Sequence, residues 1–436
     1  MESIESRPSN RLEVFSWIIY DFANTIFSMN VVSMYFALWI TVNHGWEDIW
    51  FSGANSVSML LVALTMPLLG AVSDQIKRRM PFLIVLTLSC VLFTILIGVV
   101  GQSTISVETK VLWTILFFVV ANYSYQGGLV FYNAMLPQVS TPMTIGKISG
   151  YGVALGYLGA IVGLILVMPF NEGNVFGLQV PFIRGGGRVA TFVPTGLFFL
   201  FFALPTFFFV RDRATQESMP KVDWAEGFRQ VRHVLAHISR YPGVLRFLVA
   251  KFIYMNAIHT VILFMAVYTV KVMGLSDSAV MSLLIVSTIS AVIGSLGCGW
   301  IVDRFGAKRT LRNALIGWVI ALSIVILTGN FWVFLFAASL IGIFLGSIWT
   351  SDRPLLITLV PKDMLGEFFG LYSLAGKTAA IGGPLIWSLV VRLFRSYGVL
   401  RYRLAVAAML VLVCIGLIIL LKVPQRKQVK FAQATG

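Results

Sequence analysis

The chain has 436 residues, of which 58% are hydrophobic and only 12% charged, about half the charged share of ~25% usual in soluble domains. So few charges cannot cover a surface in water, so most of it must face lipid, which excludes a soluble enzyme, a disordered chain and a collagen-like fibre together. The formal net charge of +15 does not point to nucleic acid, because the basic residues punctuate apolar runs and form no contiguous exposed patch.

A bilayer core of ~30 Å needs about 20 helical residues, and twelve runs meet that need, at 14–40, 51–75, 81–100, 111–136, 147–170, 191–210, 244–272, 278–302, 310–328, 331–352, 366–391 and 402–422. Residues 1–13 form a polar tail, and the run after them is too long for a signal-peptide core, so it is read as a retained first span. An even number of spans puts both termini on one side. Most of the 33 Lys and Arg residues fall in segments on that side, which the positive-inside rule makes cytoplasmic. The expectation is a multi-pass protein of the plasma (cytoplasmic or inner) membrane, working as a single chain.

Span one places Asp21 and Asn24 on one face, and a charge inside a membrane span is costly enough to be a functional candidate by default. The loop after span two reads Gly70-Ala-Val-Ser-Asp74-Gln-Ile-Lys77-Arg78-Arg79. In span four Asn122, Gln126 and Asn133 interleave with Tyr123, Tyr125 and Tyr132, polar groups that either orient a small solute or hold neighbouring helices together. Span five carries Gly152, Gly156, Gly159 and Gly163 on one side, leaving it bare for a close helix neighbour. The segment 211–243 is the longest soluble stretch. Trp224, Phe228, Val231, Leu235 and Ile238 recur there at helical spacing, which suggests an amphipathic tether on the inner leaflet.

Span seven adds Lys251, Asn256 and His259. Lys251 lies at about the depth of Asp21 in the corresponding span, so either the two meet as a gate or proton-sensitive pair or each snorkels or bonds a local backbone group. After span eight the chain reads Gly299-Trp-Ile-Val-Asp303-Arg304-Phe-Gly306-Ala-Lys308-Arg309, which repeats the Gly70 loop at half the chain length. Span ten ends in Trp349-Thr-Ser-Asp352-Arg353-Pro354, and span eleven holds Tyr372 near its start and Lys377 near mid-membrane. An ammonium at that depth suits an anionic substrate group or a protein carboxylate. Gly370 and Gly376 enclose five residues where a phosphate loop requires four, so Gly376-Lys377-Thr378 is not read as a nucleotide site. The last outer loop carries Arg392, Arg395, Arg401 and Arg403, either headgroup anchors or an anionic vestibule. His259 has no second ligand at metal spacing, and Cys90, Cys298 and Cys414 all sit in apolar stretches, so no metal or other cofactor is expected.

The paired loops, Gly70 to Arg79 and Gly299 to Arg309, resemble the signature of the major facilitator superfamily. The resemblance implies an all-α membrane protein with twelve transmembrane helices in two pseudo-symmetric six-helix bundles, 14–210 and 244–422, joined by the linker 211–243 and followed by a cytoplasmic tail, 423–436. In that reading Gly70, Asp74, Arg78, Arg79, Gly299, Asp303, Arg304, Lys308 and Arg309 form a breakable cytoplasmic gating latch. Such halves rock about a site near the bilayer midplane.

Further stretches resemble the vacuole-effluxer family within that superfamily. They are Trp17-Ile-Ile-Tyr-Asp-Phe-Ala-Asn24, Phe131-Tyr-Asn-Ala-Met-Leu-Pro137, Gly150-Tyr-Gly-Val-Ala-Leu-Gly-Tyr-Leu-Gly159 and Glu367-Phe-Phe-Gly-Leu-Tyr372 through Gly376-Lys377. Trp349 and Arg353 fall where the family pattern runs Gln and then Ser-Arg-Ser, with the Arg kept. Fungal members are associated with moving amino acids out of the vacuole. The resemblance implies a secondary active transporter of a small polar or zwitterionic, amino-acid-like metabolite, directed outward, with protons as a possible coupling ion and no enzyme activity. The alternatives are a lipid or lysolipid flippase, or a membrane sensor with the same fold and no turnover.

Overall fold

The computed structural model describes residues 10–75, 78–139, 145–212, 241–360 and 365–424. Among them are twelve helices long and apolar enough to cross a membrane. Spans one to six are Arg11–Asn43, Asp48–Met66, Met80–Gln102, Val107–Ala134, Tyr151–Glu172 and Arg188–Phe209. Spans seven to twelve are Gly243–Met273, Asp277–Val302, Ala307–Leu327, Phe331–Leu356, Leu374–Leu393 and Leu400–Leu421. All twelve expected runs are therefore helical. Residues 213–240, which hold most of the proposed amphipathic tether, lie outside the described residues, as do 425–436 of the tail.

Span one differs from its expected limits: it runs to Asn43, and past Phe27 it loosens into π-helical segments, Ser28–Tyr35 and Trp39–Asn43, around a short α turn. Between spans five and six the chain makes a two-residue antiparallel pair, Asn174–Val175 with Leu178–Gln179. Gly177 there takes φ +88°, a conformation L side chains rarely adopt.

Helix ends are satisfied by side chains, several of them distant in sequence. Asn10, Ser106 and Asn330 accept backbone N–H groups at the starts of spans one, four and ten. Span three is capped from elsewhere: the Asp212 carboxylate accepts Arg79 N at 2.9 Å and Met80 N at 3.1 Å. At C-terminal ends the donors are cations. Lys308 Nζ donates to the Leu421 and Val423 carbonyls, and Arg403 to those of Ile326 and Thr328, the latter two at 3.0 Å.

The chain divides into two compact units. One comprises Met1–Arg229, Ile262–Ile285 and Pro384–Tyr402, the other Gln230–Val261, Val286–Gly383 and Arg403–Gly436. The division crosses spans seven, eight, eleven and twelve, and in span eleven it falls between Gly383 and Pro384.

Small residues set the helix spacing inside each unit. In the first, a Cβ added at Gly159 would lie 2.3 Å from the Phe22 carbonyl oxygen, so spans one and five are in backbone contact. In the second, spans eight and ten interlock. Cβ atoms at Gly294 and Gly342 would each lie 2.1 Å from a carbonyl oxygen of the other span, those of Ile343 and Ser287.

Candidate substrate and gating site

Two polar constellations stand out, one in each unit. In the second unit Lys251 of span seven is 3% exposed, and its ammonium meets Asp352 Oδ2 of span ten at 2.5 Å. Tyr254, three residues on from Lys251 and therefore on the same face, donates its hydroxyl to Asp352 Oδ1 at 2.6 Å. The ammonium also lies 4.0 Å from the centre of the Tyr372 ring. A Cβ added at Gly376 would sit 3.8 Å from Lys251 Cε, so span eleven leaves room for the lysine stem.

This arrangement corrects the sequence expectation for Lys251. Its carboxylate partner is Asp352, not Asp21, because span seven presents Lys251 and Tyr254 together toward the two oxygens of one buried aspartate. Asp352 stands beside Arg353 in the sequence, but a pairing across 101 residues leaves no local signal. Arg353 and Trp349 are exposed, and His259 and Lys377 are half-buried.

In the first unit Asp21 is half-buried, and its Oδ1 accepts a hydrogen bond from Asn24 Nδ2 at 3.2 Å. Tyr132 stacks against Trp17 with centroids 4.4 Å apart and against Tyr20 at 5.1 Å, and the Trp17 indole donates to the Tyr132 carbonyl at 3.1 Å. Other candidates act as ties between helices. Asn122 donates to Asn55 Oδ1 at 3.1 Å and to Ser58 Oγ at 2.7 Å, and the Tyr123 hydroxyl bonds the Thr65 hydroxyl at 2.9 Å. Gln126 is half-buried and Asn133 exposed. In the second unit Asn256 donates to the Phe252 carbonyl, and Gly383 of span eleven packs directly on the Asn256 backbone.

The first unit also holds a layer of contacts that sequence reasoning did not anticipate. It lies where the loops after spans one, five, seven and eleven gather, hereafter the odd-loop face. Arg188, at the start of span six, forms a two-armed ion pair with Asp277 at the start of span eight, with bonds of 2.7 and 2.9 Å. Asn171 donates to the same carboxylate at 3.0 Å, and Arg188 also reaches Asn43 Oδ1 at 2.7 Å. The Trp387 indole donates to the buried Asp48 carboxylate at 3.1 Å, and the Ser52 and Ser388 hydroxyls meet at 2.5 Å. Lys271 donates to the Thr41 carbonyl at 2.9 Å. At the rim Glu47 meets Arg395 at 3.2 Å and Arg392 at 3.6 Å, which gives those two arginines a protein partner. Behind these contacts Phe51, Phe264 and Trp387 pack ring to ring.

The loop motif is only partly on view. Asp74, Lys77 and Asp303 have side chains outside the described residues. Arg79 donates to the Ala134 carbonyl at the end of span four, Arg304 lies over the Trp300 ring, and Lys308 holds the end of span twelve. Gly70 and Gly299 have open space where a Cβ would stand, and Arg78 and Arg309 are exposed.

Twelve spans with charges inside them fit a membrane transporter, and the similar proteins are transporters of the major facilitator type, not enzymes. The solved structure of a mutant of the nucleoside transporter NupG superposes with a TM-score of 0.76 at 11% identity, over 95% of this chain and 100% of that one, which shows the shared fold. Residues 52–145 and 139–433 match the family described as vacuole effluxer Atg22 like, and the chain belongs to that family. It is similar to an uncharacterized MFS-type transporter, YxiO, of Bacillus subtilis (strain 168), at 24% identity over 96% of each chain. It also resembles autophagy-related protein 22 of Coccidioides immitis (strain RS), at 22% identity over 65% of this chain and 49% of that one.

Proposed function

We propose that this transporter moves a small polar or zwitterionic, amino-acid-like metabolite outward by alternating access. Two six-span halves, 14–210 and 244–422, rock about the linker 211–243, and protons serve as the coupling ion. Both termini are cytoplasmic in this reading, the membrane is the plasma membrane and the working unit is one chain. The odd-loop face is then the outer face.

The observation that carries the reading is the polar closure of that face. Arg188–Asp277, Asp48–Trp387, Ser52–Ser388 and Lys271–Thr41 join spans one, two and six or their flanking loops to spans seven, eight and eleven. A seal of hydrogen bonds and ion pairs exchanges its partners for water when it opens, whereas a wholly apolar seal would expose its whole area. The loops Gly70 to Arg79 and Gly299 to Arg309 supply the matching latch on the other side. The outward direction is supported by the family's description as effluxers, and a zwitterionic cargo by side chains of both signs inside the spans.

Counterflow in proteoliposomes tests the proposal with a labelled mixture of the protein amino acids as the probe. Exchange above protein-free vesicles is the expected outcome. Scrambling of labelled lysolipid without amino-acid exchange would replace it with a flippase, and neither activity would leave a sensor.

A further inference from the structure

Asp21 and Tyr132 leave two polar groups unanswered on one strip of span five. Asp21 Oδ1 is bonded by Asn24, while Oδ2 faces Gly156, where an added Cβ would lie 3.1 Å from that oxygen. The neighbouring Thr25 hydroxyl turns to the Asp21 backbone carbonyl. No Lys, Arg or His side chain stands at ion-pair distance from Asp21 among the described residues. One helical turn along the strip, about 5.4 Å, an added Cβ at Gly152 would lie 3.1 Å from the Tyr132 hydroxyl. That hydroxyl belongs to a side chain 2% exposed and has no hydrogen-bond partner among the described residues. Its ring is clamped between Trp17 and Tyr20, so the hydroxyl is held in place.

An ionised carboxylate inside a membrane span needs a cation or must take up a proton. Lys251 and Asp352 meet that need with each other. Asp21 has no such partner among the described residues. Among the described residues the other titratable groups facing it are phenols, Tyr20 on its own span and Tyr125 and Tyr132 on span four, while Gly156 of span five lies against its carboxylate.

We propose that Asp21 Oδ2 is the site that takes up and releases the coupling proton, and that the Tyr132 hydroxyl, one turn away along the glycine strip, steadies the ionised form through a bridging water. The proton arrives from water on one side of the membrane and leaves to water on the other, with no covalent step. This deepens the transporter reading above and rests on it.

The test uses the full-length protein in detergent and dicyclohexylcarbodiimide, which attacks protonated carboxyls in apolar surroundings, with peptide mass spectrometry from mildly acid to alkaline pH. Asp21 is expected to be modified at the acid end and several-fold less at the alkaline end, while Asp352, bonded to Lys251, stays unmodified. Tyr132→Phe, which keeps the stacked ring, is expected to move the half-labelling pH upward; an unmoved midpoint removes Tyr132 from the proposal. In proteoliposomes Asp21→Asn is expected to lose accumulation driven by a pH gradient. Labelling of Asp21 that is absent or independent of pH overturns the proposal, and so does gradient-driven accumulation that persists in Asp21→Asn. If the unmodified protein labels as expected but exchanges nothing, the transporter reading fails and the protonation site stands.

Discussion

At the scale of single residues, the decisive feature is whether each intramembrane charge has a partner. Lys251 and Asp352 form a buried pair, and breaking such a pair from one side costs about 3–5 kcal/mol, whereas replacing both members by apolar residues of similar volume is often neutral. Lys251→Met should therefore lower the unfolding temperature in detergent, and adding Asp352→Leu should recover much of the loss. Equal destabilisation in the single and double variants would show that the pair is not the source of the effect. His44, in the loop after span one, packs edge-on against Trp39. Burial, and secondarily Lys110, holds its imidazole below the ordinary 6.5. Its neutral form is thus favoured in the fold, and the stability it contributes is present above the ordinary value and lost as pH falls below it. An NMR titration should place its midpoint below 6.5, and a midpoint above that would contradict the burial.

At the scale of elements, helix contacts depend on where a Cβ is tolerated. Gly159→Ala drives a methyl against the fixed Phe22 carbonyl and should destabilise by about 1–3 kcal/mol, while Gly297→Ala, with nothing within 4 Å, should be neutral or slightly stabilising. Equal melting temperatures for the two variants would refute the close packing of spans one and five. The spans themselves were legible because a bilayer demands about 20 apolar residues whatever their order, and the glycines of span five announced a close neighbour. The π-helical turns of span one were not legible, since they keep the same apolar character and change only the hydrogen-bond register. Nor was the cap on span three, because Asp212 lies 133 residues from Arg79 and nothing local marks the pair. Among site residues, Asp21 and Lys251 were visible as costly charges. Asn24 beside Asp21 was visible too, but the Asp352 partner of Lys251 was not, because burial decides which of several polar groups a helix face meets. Asn122 shows the converse: a polar residue in a candidate cavity lining proves to be bonded to Asn55 and Ser58 of span two.

At the scale of the molecule, the proposed alternating access requires the odd-loop closure to be reversible. Arg188→Gln removes the two-armed bond to Asp277 and leaves that carboxylate with Asn171. The variant should open this face more readily, seen as faster maleimide labelling of a cysteine placed at Ser388 in a background lacking Cys90, Cys298 and Cys414. Labelling no faster than with Arg188 intact would show that the ion pair does not hold the closure.

The most direct measurement joins the closure covalently. Ser52 and Ser388, whose hydroxyls meet at 2.5 Å, are replaced by cysteine in that background, oxidised to a disulfide and assayed for counterflow of the labelled amino-acid mixture. Alternating access predicts that exchange stops when the bridge forms and returns on reduction. Exchange continuing at full rate through a completely cross-linked population would contradict it.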